Sequence, residues 1–201
     1  MGSMIPHSEA AERNKQPILE VLRRYLLPGA QVLEVGCGTG QHAEYFARSL
    51  PEITWIPSDR SESLPLSEER LQQAQLPNLV LPVTAIDVSR LEWPVGPVSA
   101  VFTANTLHIM SWEEVESLFF RVSRVLLRGG VFLTYGPFNE DGAFTSASNE
   151  AFDQSLRSRK PSMGIRDVDD LQALAESCGL LFQAKHNMPA NNQILVWVHA
   201  D

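Results

Sequence analysis

Val32-Leu33-Glu34-Val35-Gly36-Cys37-Gly38-Thr39-Gly40-Gln41 decides how the rest of the chain is read. Gln31 to Val35 is an apolar run of strand length, and glycine then alternates with small residues. Gln41 to Leu50 reads as a helix. Glycines suit such a junction because the turn needs unusual backbone angles and a ligand must approach the main chain closely. A helix start also presents unpaired N–H groups. A dinucleotide fingerprint, G-x-G-x-x-G, would need glycine where Gln41 stands, which argues against a nicotinamide or flavin enzyme.

Strands and helices alternate outward from this turn. Upstream, Ile18, Leu19, Val21, Leu22, Tyr25 and Leu26 recur at helical spacing, with Pro17 expected in the first turn and Pro28-Gly29 ending the helix. Downstream, Ile53 to Ile56 is a strand ending near Asp59, Ser63 to Gln75 a helix, Leu79 to Ile86 a strand ending at Asp87, and Val98 to Thr103 a fourth strand. Ser111-Trp112-Glu113-Glu114 has capping-box spacing and opens a helix expected to reach Leu127 and stop at Gly129-Gly130. Val131 to Tyr135 is a fifth strand, Gly136 to Arg166 a looser segment, and Asp167 to Ser177 a helix closed by Gly179. The last two strands, Leu180 to His186 and Gln193 to His199, have only Met188 to Asn192 between them. That link permits a hairpin and excludes a helical crossover. The expected fold is α/β: a Rossmann-like, seven-stranded, mostly parallel sheet with helices on both faces and a C-terminal antiparallel strand. Residues 1–15 are expected to form a tail or lid, and residues 16–201 a single domain.

Acidic residues fall at the carboxyl ends of the expected strands, where open α/β sheets bind ligands. Glu34 precedes the glycines. Asp59 lies nineteen residues beyond Gly40, the spacing at which a carboxylate accepts hydrogen bonds from a ribose diol; the alternative role is a helix cap. Asp87 ends the third strand and resembles a motif position whose side chain meets an adenine amino group, which would lay Ile86 or Val88 along the ring; a cap is again the alternative.

Asn105 and His108 follow the fourth strand, and Tyr135 ends the fifth. Asn105 is placed to orient a substrate. His108 is placed to take a proton, since imidazole titrates near neutrality, or else packs beneath the following helix. Tyr135 lies on the same rim. No histidine shares metal-ligand spacing with a cysteine or carboxylate, so no metal is expected. Cys37 suits a tight turn better than a nucleophile.

Composition sets outer bounds. The chain has 201 residues, 44% of them hydrophobic, with a formal net charge of -8, which argues against nucleic acid as the main partner. Two cysteines, Cys37 and Cys178, do not make a disulfide framework, so a reducing, cytoplasmic location is expected. No apolar run approaches membrane-spanning length. Met1 to Ile5 shows no secretory pattern, and Gly2-Ser3-Met4 reads as an expression scar.

The acidic residue followed by G-x-G-x-G resembles motif I of the class I S-adenosylmethionine-dependent methyltransferases. More specifically, the chain resembles a small methyltransferase-like family of bacteria and animals. Ser8 to Ile18, Val32 to His42, Asn105 to Ile109, Tyr135 to Phe138, Gly164 to Asp167 and Met188 to Asn192 carry that likeness. The resemblance implies S-adenosylmethionine as cofactor, with Glu34, Gly36, Gly38, Gly40, Asp59, Asp87, Val88 and Asn105 around it. It implies a catalytic end built from Asn105, His108 and Tyr135. It also draws in Arg13, Asn14 and Lys15 as a lid over the methionine end, where a cation would meet the carboxylate, the alternative being a solvated tail. Arg166, Asp167, Asn191 and Asn192 either line the acceptor pocket or cap and turn the chain. A small-molecule acceptor is the leading expectation. A protein or RNA substrate, and a non-catalytic cofactor-binding or partner module, are the alternatives.

Overall fold

The glycine turn lies at the centre of the sheet in the computed structural model, which describes residues 5–90 and 92–200. The expectations for Met1–Met4 lie outside those residues. The elements run α1 (Glu9–Tyr25), β1 (Gln31–Val35), α2 (Gln41–Ser49), β2 (Thr54–Asp59), α3 (Pro65–Ala74), β3 (Thr84–Ala85), β4 (Val98–Ala104) and α4 (Trp112–Val125). They continue with β5 (Leu126–Gly136), β6 (Phe138–Asn139), α5 (Ala147–Arg159), β7 (Arg166–Asp167), α6 (Val168–Ser177), β8 (Leu180–Met188) and β9 (Asn192–His199).

Seven strands form one sheet in the order β3-β2-β1-β4-β5-β9-β8. β1 pairs in parallel with both β2 and β4, so the strand order reverses there and a crevice opens beyond the strand ends. β9 enters antiparallel between β5 and β8. This is the expected Rossmann-like topology. β6 and β7 form a separate two-stranded pair.

Apolar side chains cover both faces of the sheet. On one, Ile18 and Leu22 of α1 and Phe46 of α2 pack with Trp55, Phe102 and Leu133. On the other, Val115 and Phe119 of α4 and Leu171 of α6 pack with Leu33, Phe132 and Trp197. Trp55, Phe46, Phe119 and Trp197 are fully buried, each stabilising the fold by roughly 2–3 kcal/mol through removal from water.

Four expectations are corrected. α1 begins at Glu9, capped by the Ser8 hydroxyl, so Pro17 lies inside it and the 15/16 boundary falls mid-helix. The third strand shrinks to Thr84–Ala85, because Pro82 has no N–H for a ladder; Leu79 makes only an isolated bridge to Trp55. Gly129-Gly130 do not stop α4, which ends at Val125; they lie within β5, where its register against β4 shifts. The looser segment contains α5.

Candidate active site

The glycine turn is shaped by its own backbone. Gly36, Gly38 and Gly40 have φ of 76°, 55° and 75°, the left-handed region that glycine enters without steric cost. The Gly36 and Cys37 amides both donate to the Ser58 carbonyl at 2.9 Å, tying the turn to β2. A side-chain carbon added at Gly36 would stand 2.8 Å from the Thr106 methyl; at Gly38 it would meet nothing within 4 Å. At Gly40 it would stand 3.0 Å from Ser67 Cβ, so the turn is packed at both ends and open at Gly38 between them.

Asp59 stands beside it. Its carboxylate accepts from the Gly38 amide at 2.7 Å and the Arg60 amide at 2.8 Å, one on each oxygen. Each oxygen keeps further acceptor capacity, as a vicinal diol requires. A pocket of about 250 Å³ opens here, lined by Val35, Gly36, Asp59, Ile86, Asp87 and Val88, with Thr106, Ile109, Met110 and Met163 among its other walls. Ile86 and Val88 are buried apolar walls on either side of Asp87. Asp87 also accepts from the Ser89 amide and hydroxyl, which hold its carboxyl below the usual range. A carboxylate for a diol, a second for an exocyclic amine and two apolar walls fit a nucleoside.

Glu34 is placed elsewhere. It is 1% exposed, and its carboxylate accepts from the Trp55 indole N–H at 2.7 Å. Burial, reinforced by the Asp59 charge, pushes its pKa up to about 7. It supports the turn from behind and does not line the pocket.

The N-terminal half of α1 is bolted to the glycine turn. The Ser8 amide donates to Gln41 Oε1 at 2.5 Å, and Gln41 Nε2 donates to Glu12 at 3.2 Å. His42 shares a 2.7 Å hydrogen bond with buried Asn14 and stacks on Phe46, and burial lowers its pKa to about 4. Asn14 and Asn192 lie beside the Tyr135 phenol, whose pKa burial raises while these side chains and the Arg13 charge oppose the rise. Arg13 is exposed, whereas Lys15 turns away to pair with Glu12 and lies over the Tyr45 ring. Asn14 and Tyr135 are thus brought together, and Lys15 is not brought to the pocket.

Asn105 and His108 meet at Gly136. A carbon added to Gly136 would lie 3.8 Å from His108 Nδ1 and 3.9 Å from Asn105 Oδ1. Asn105 adopts φ 58°, and its amide donates to the Tyr135 carbonyl at 2.8 Å, a strained geometry held by β5. His108 is 6% exposed, with the Phe152 ring edge-on at 5.2 Å. Burial, helped by the Arg166 charge, lowers its pKa to about 4, so the ring is neutral at pH 7. Among the described residues its side chain makes no hydrogen bond.

Arg166 is not among the residues that line the pocket. It donates to the Leu107, Met110 and Ser162 carbonyls. Asp167 caps α6 through the Asp169 amide and accepts from the Gly142 amide. Asn191, at φ 57° in the β8–β9 turn, donates to Ser148 and accepts from Asn149. Thr106, Ile109, Met110, Lys160 and Met163 line the pocket without having been singled out in the sequence. For Thr106 the available signal was its place one residue after Asn105. No group of three or more possible metal ligands occurs among the described residues.

The comparisons agree with this architecture. An uncharacterised chloroplastic methyltransferase of Arabidopsis thaliana is 32% identical over 156 residues, covering 71% of this chain and 44% of its own length. Solved structures share the fold. The apo S-adenosylmethionine-dependent methyltransferase SibL has a TM-score of 0.79 at 20% identity, over 96% of this chain and 56% of its own. The mitomycin 7-O-methyltransferase MmcR has 0.79 at 16%, over 95% and 55%. A Nostoc punctiforme O-methyltransferase has 0.80 at 16%, over 94% and 56%. The chain therefore spans about half the length of these relatives. The family model described as "Protein of unknown function (DUF938)" matches residues 5–199, and the chain belongs to that family.

Proposed function

We propose that this chain binds S-adenosylmethionine and transfers its methyl group to a hydroxyl of a small molecule. The observation that carries the reading is one crevice at the strand ends. Gly36, Asp59, Asp87 and Val88 line its pocket, and Asn105 and His108 meet at Gly136 on the same rim.

The cofactor supplies an activated methyl on a sulfonium. The chain's own residues bind, orient and accept a proton. Asp59 takes the ribose diol, Asp87 the adenine amine, and Ile86 and Val88 the ring faces. Arg13, Asn14 and Tyr135 hold the methionine end, with the exposed Arg13 guanidinium toward its carboxylate. Asn105 orients the acceptor. His108, uncharged at pH 7, accepts the hydroxyl proton and adds no positive charge beside a sulfonium. Alignment of acceptor and methyl does much of the remaining work.

The relatives named as O-methyltransferases support a hydroxyl acceptor, and the acidic chain supports a small molecule over RNA. Unpaired Cys37 and Cys178 suit a reducing compartment such as the cytoplasm, although the Arabidopsis relative is chloroplastic. No helix among the described residues is long and apolar enough to cross a membrane. One observation favours a binding module instead: His108 is buried with the Phe152 ring edge-on against it, which restricts access to the imidazole.

Thermal stability with S-adenosylmethionine, S-adenosylhomocysteine and NAD tests the cofactor. A rise with the two sulfur ligands, reduced in Asp59→Ala, is expected. A rise with NAD alone, or none with any, overturns the reading. Methyl transfer to metabolite pools, with His108→Ala as control, then separates enzyme from binding module.

A further inference from the structure

We infer that Arg166 is a positioning residue for His108, acting as a clasp on the main chain that carries the imidazole. The inference rests on the reading of His108 as proton acceptor.

The turn after β4 has little regular structure of its own, yet it must present His108 at one place. Three ties hold it from outside. Arg166 Nε donates to the Leu107 carbonyl at 3.2 Å, and Nη2 donates to the Met110 carbonyl. These carbonyls flank His108 on both sides. Between them, the His108 carbonyl accepts from the Gly164 amide at 2.9 Å. Nη2 also donates to the Ser162 carbonyl at 3.0 Å, so one guanidinium joins the turn to the strap that follows α5.

The strap is itself fixed. Asp153 of α5, 4% exposed, accepts from the Ile165 amide at 2.7 Å and from Arg157 Nε at 2.7 Å. The next residue back, Phe152, packs edge-on against the His108 ring. The contacts form a closed circuit from Arg166 through the turn, His108, Phe152, Asp153 and Ile165 back to Arg166. Gly164 fits closely within it: a side-chain carbon there would stand 2.9 Å from the buried Asp153 carboxylate and would push the Arg157 guanidinium aside.

The chemistry of the contact selects arginine. A planar fork can reach several carbonyls at fixed angles, which a single ammonium cannot. The charged groups facing it are Arg157, Asp153, Glu113 and Glu114, and the Trp112 ring lies 6.0 Å away. Three carboxylates and one guanidinium stand around it, so its own charge is more than offset, and what Arg166 adds to the turn is geometry. Because an error of about 1 Å at a reacting group costs on the order of 100-fold in rate, such a clasp bears directly on turnover.

The test needs no acceptor. The imidazole signals of His108 are assigned by NMR with His108→Gln. The shift that the Phe152 ring imposes on them is read from Phe152→Leu. Arg166→Lys and Arg166→Gln are then compared with the parent, with stabilisation by S-adenosylhomocysteine as the check on fold and pocket. The expected result is loss of the Phe152-dependent shift in both variants, with stabilisation retained. A rise in the His108 titration midpoint from about 4 is expected in Arg166→Gln and a smaller one in Arg166→Lys, which keeps the charge. An unchanged ring shift and midpoint in both variants overturns the inference. So does loss of stabilisation in both, since Arg166 would then serve the whole fold. Failure of the readings beneath it looks different: the parent itself would not respond to S-adenosylhomocysteine, which sinks the cofactor, or His108→Ala would keep full turnover, which sinks the proton-acceptor role.

Discussion

Gly36 sits at φ 76° with the Thr106 methyl against its Cα. A methyl there faces strain twice, from the backbone and from a contact at 2.8 Å. Gly36→Ala is expected to cost about 1–3 kcal/mol and to abolish stabilisation by S-adenosylhomocysteine. Thr106→Ser in the same chain removes the methyl and should recover only part of the loss. Full recovery in thermal melts would show that φ at this position carries no strain. The buried ionisable groups set the pH response. His42 and His108 titrate at about 4 in the fold, against an ordinary 6.5. Between those values the unfolded chain binds more protons, so their contribution is lost as pH falls from 6.5 toward 4. Glu34 runs the other way: with its pKa raised to about 7, its contribution is lost as pH rises from 4.5 to 7. Urea midpoints across pH 4–7 test both signs. His42→Gln should flatten the acid side and Glu34→Gln the neutral side, and parallel curves for the variants and parent would refute the assignment.

At the scale of elements, α4 shows how completely a short signal can be read. Ser111 accepts from the Glu114 amide, and the Glu114 carboxylate accepts from the Ser111 amide, as the four-residue spacing predicts. Ser111→Ala should cost about 1 kcal/mol of stability, seen as a lower urea midpoint with an unchanged slope. No change would mean that α4 is held by its buried face alone. Other elements were legible because burial follows one face at helical spacing, as in α2, or runs on almost unbroken over strand length, as in β1 and β4. α5 was not. Its buried face is Asn149, Asp153 and Leu156, two polar residues to one apolar, so no helical stripe of hydrophobes exists to be found. Its polar residues bind the β8–β9 turn and the strap, contacts between segments distant in sequence. The same reason hid the far wall of the pocket: Asp59 announces itself by spacing, while Lys160 and Met163 reach the pocket only through the position of α5. Pro17 misled because proline suits a first turn, and the true start, Ser8 with Glu9 and Glu12 behind it, lay in a stretch too polar to look structural.

For the whole molecule, an aromatic cluster ties α4 to β5 and β9. Phe119 packs on Phe132 and Trp197 at 5.2 Å from each, and all three are fully buried. Phe119→Ala should therefore cost about 3–5 kcal/mol, read by chemical denaturation. A loss below about 1 kcal/mol would mean that the neighbours collapse into the space. The place of β9 has a further consequence. It is the last strand in sequence, yet it lies inside the sheet, with β5 on one side and β8 on the other. During synthesis, everything through Met188 can emerge from the ribosome while the hydrogen-bonding edge of β5 stays open and Phe132 lacks Trp197. The nascent chain therefore carries a sticky, unsealed edge until its final strand arrives, and that interval is when a chaperone has most to protect.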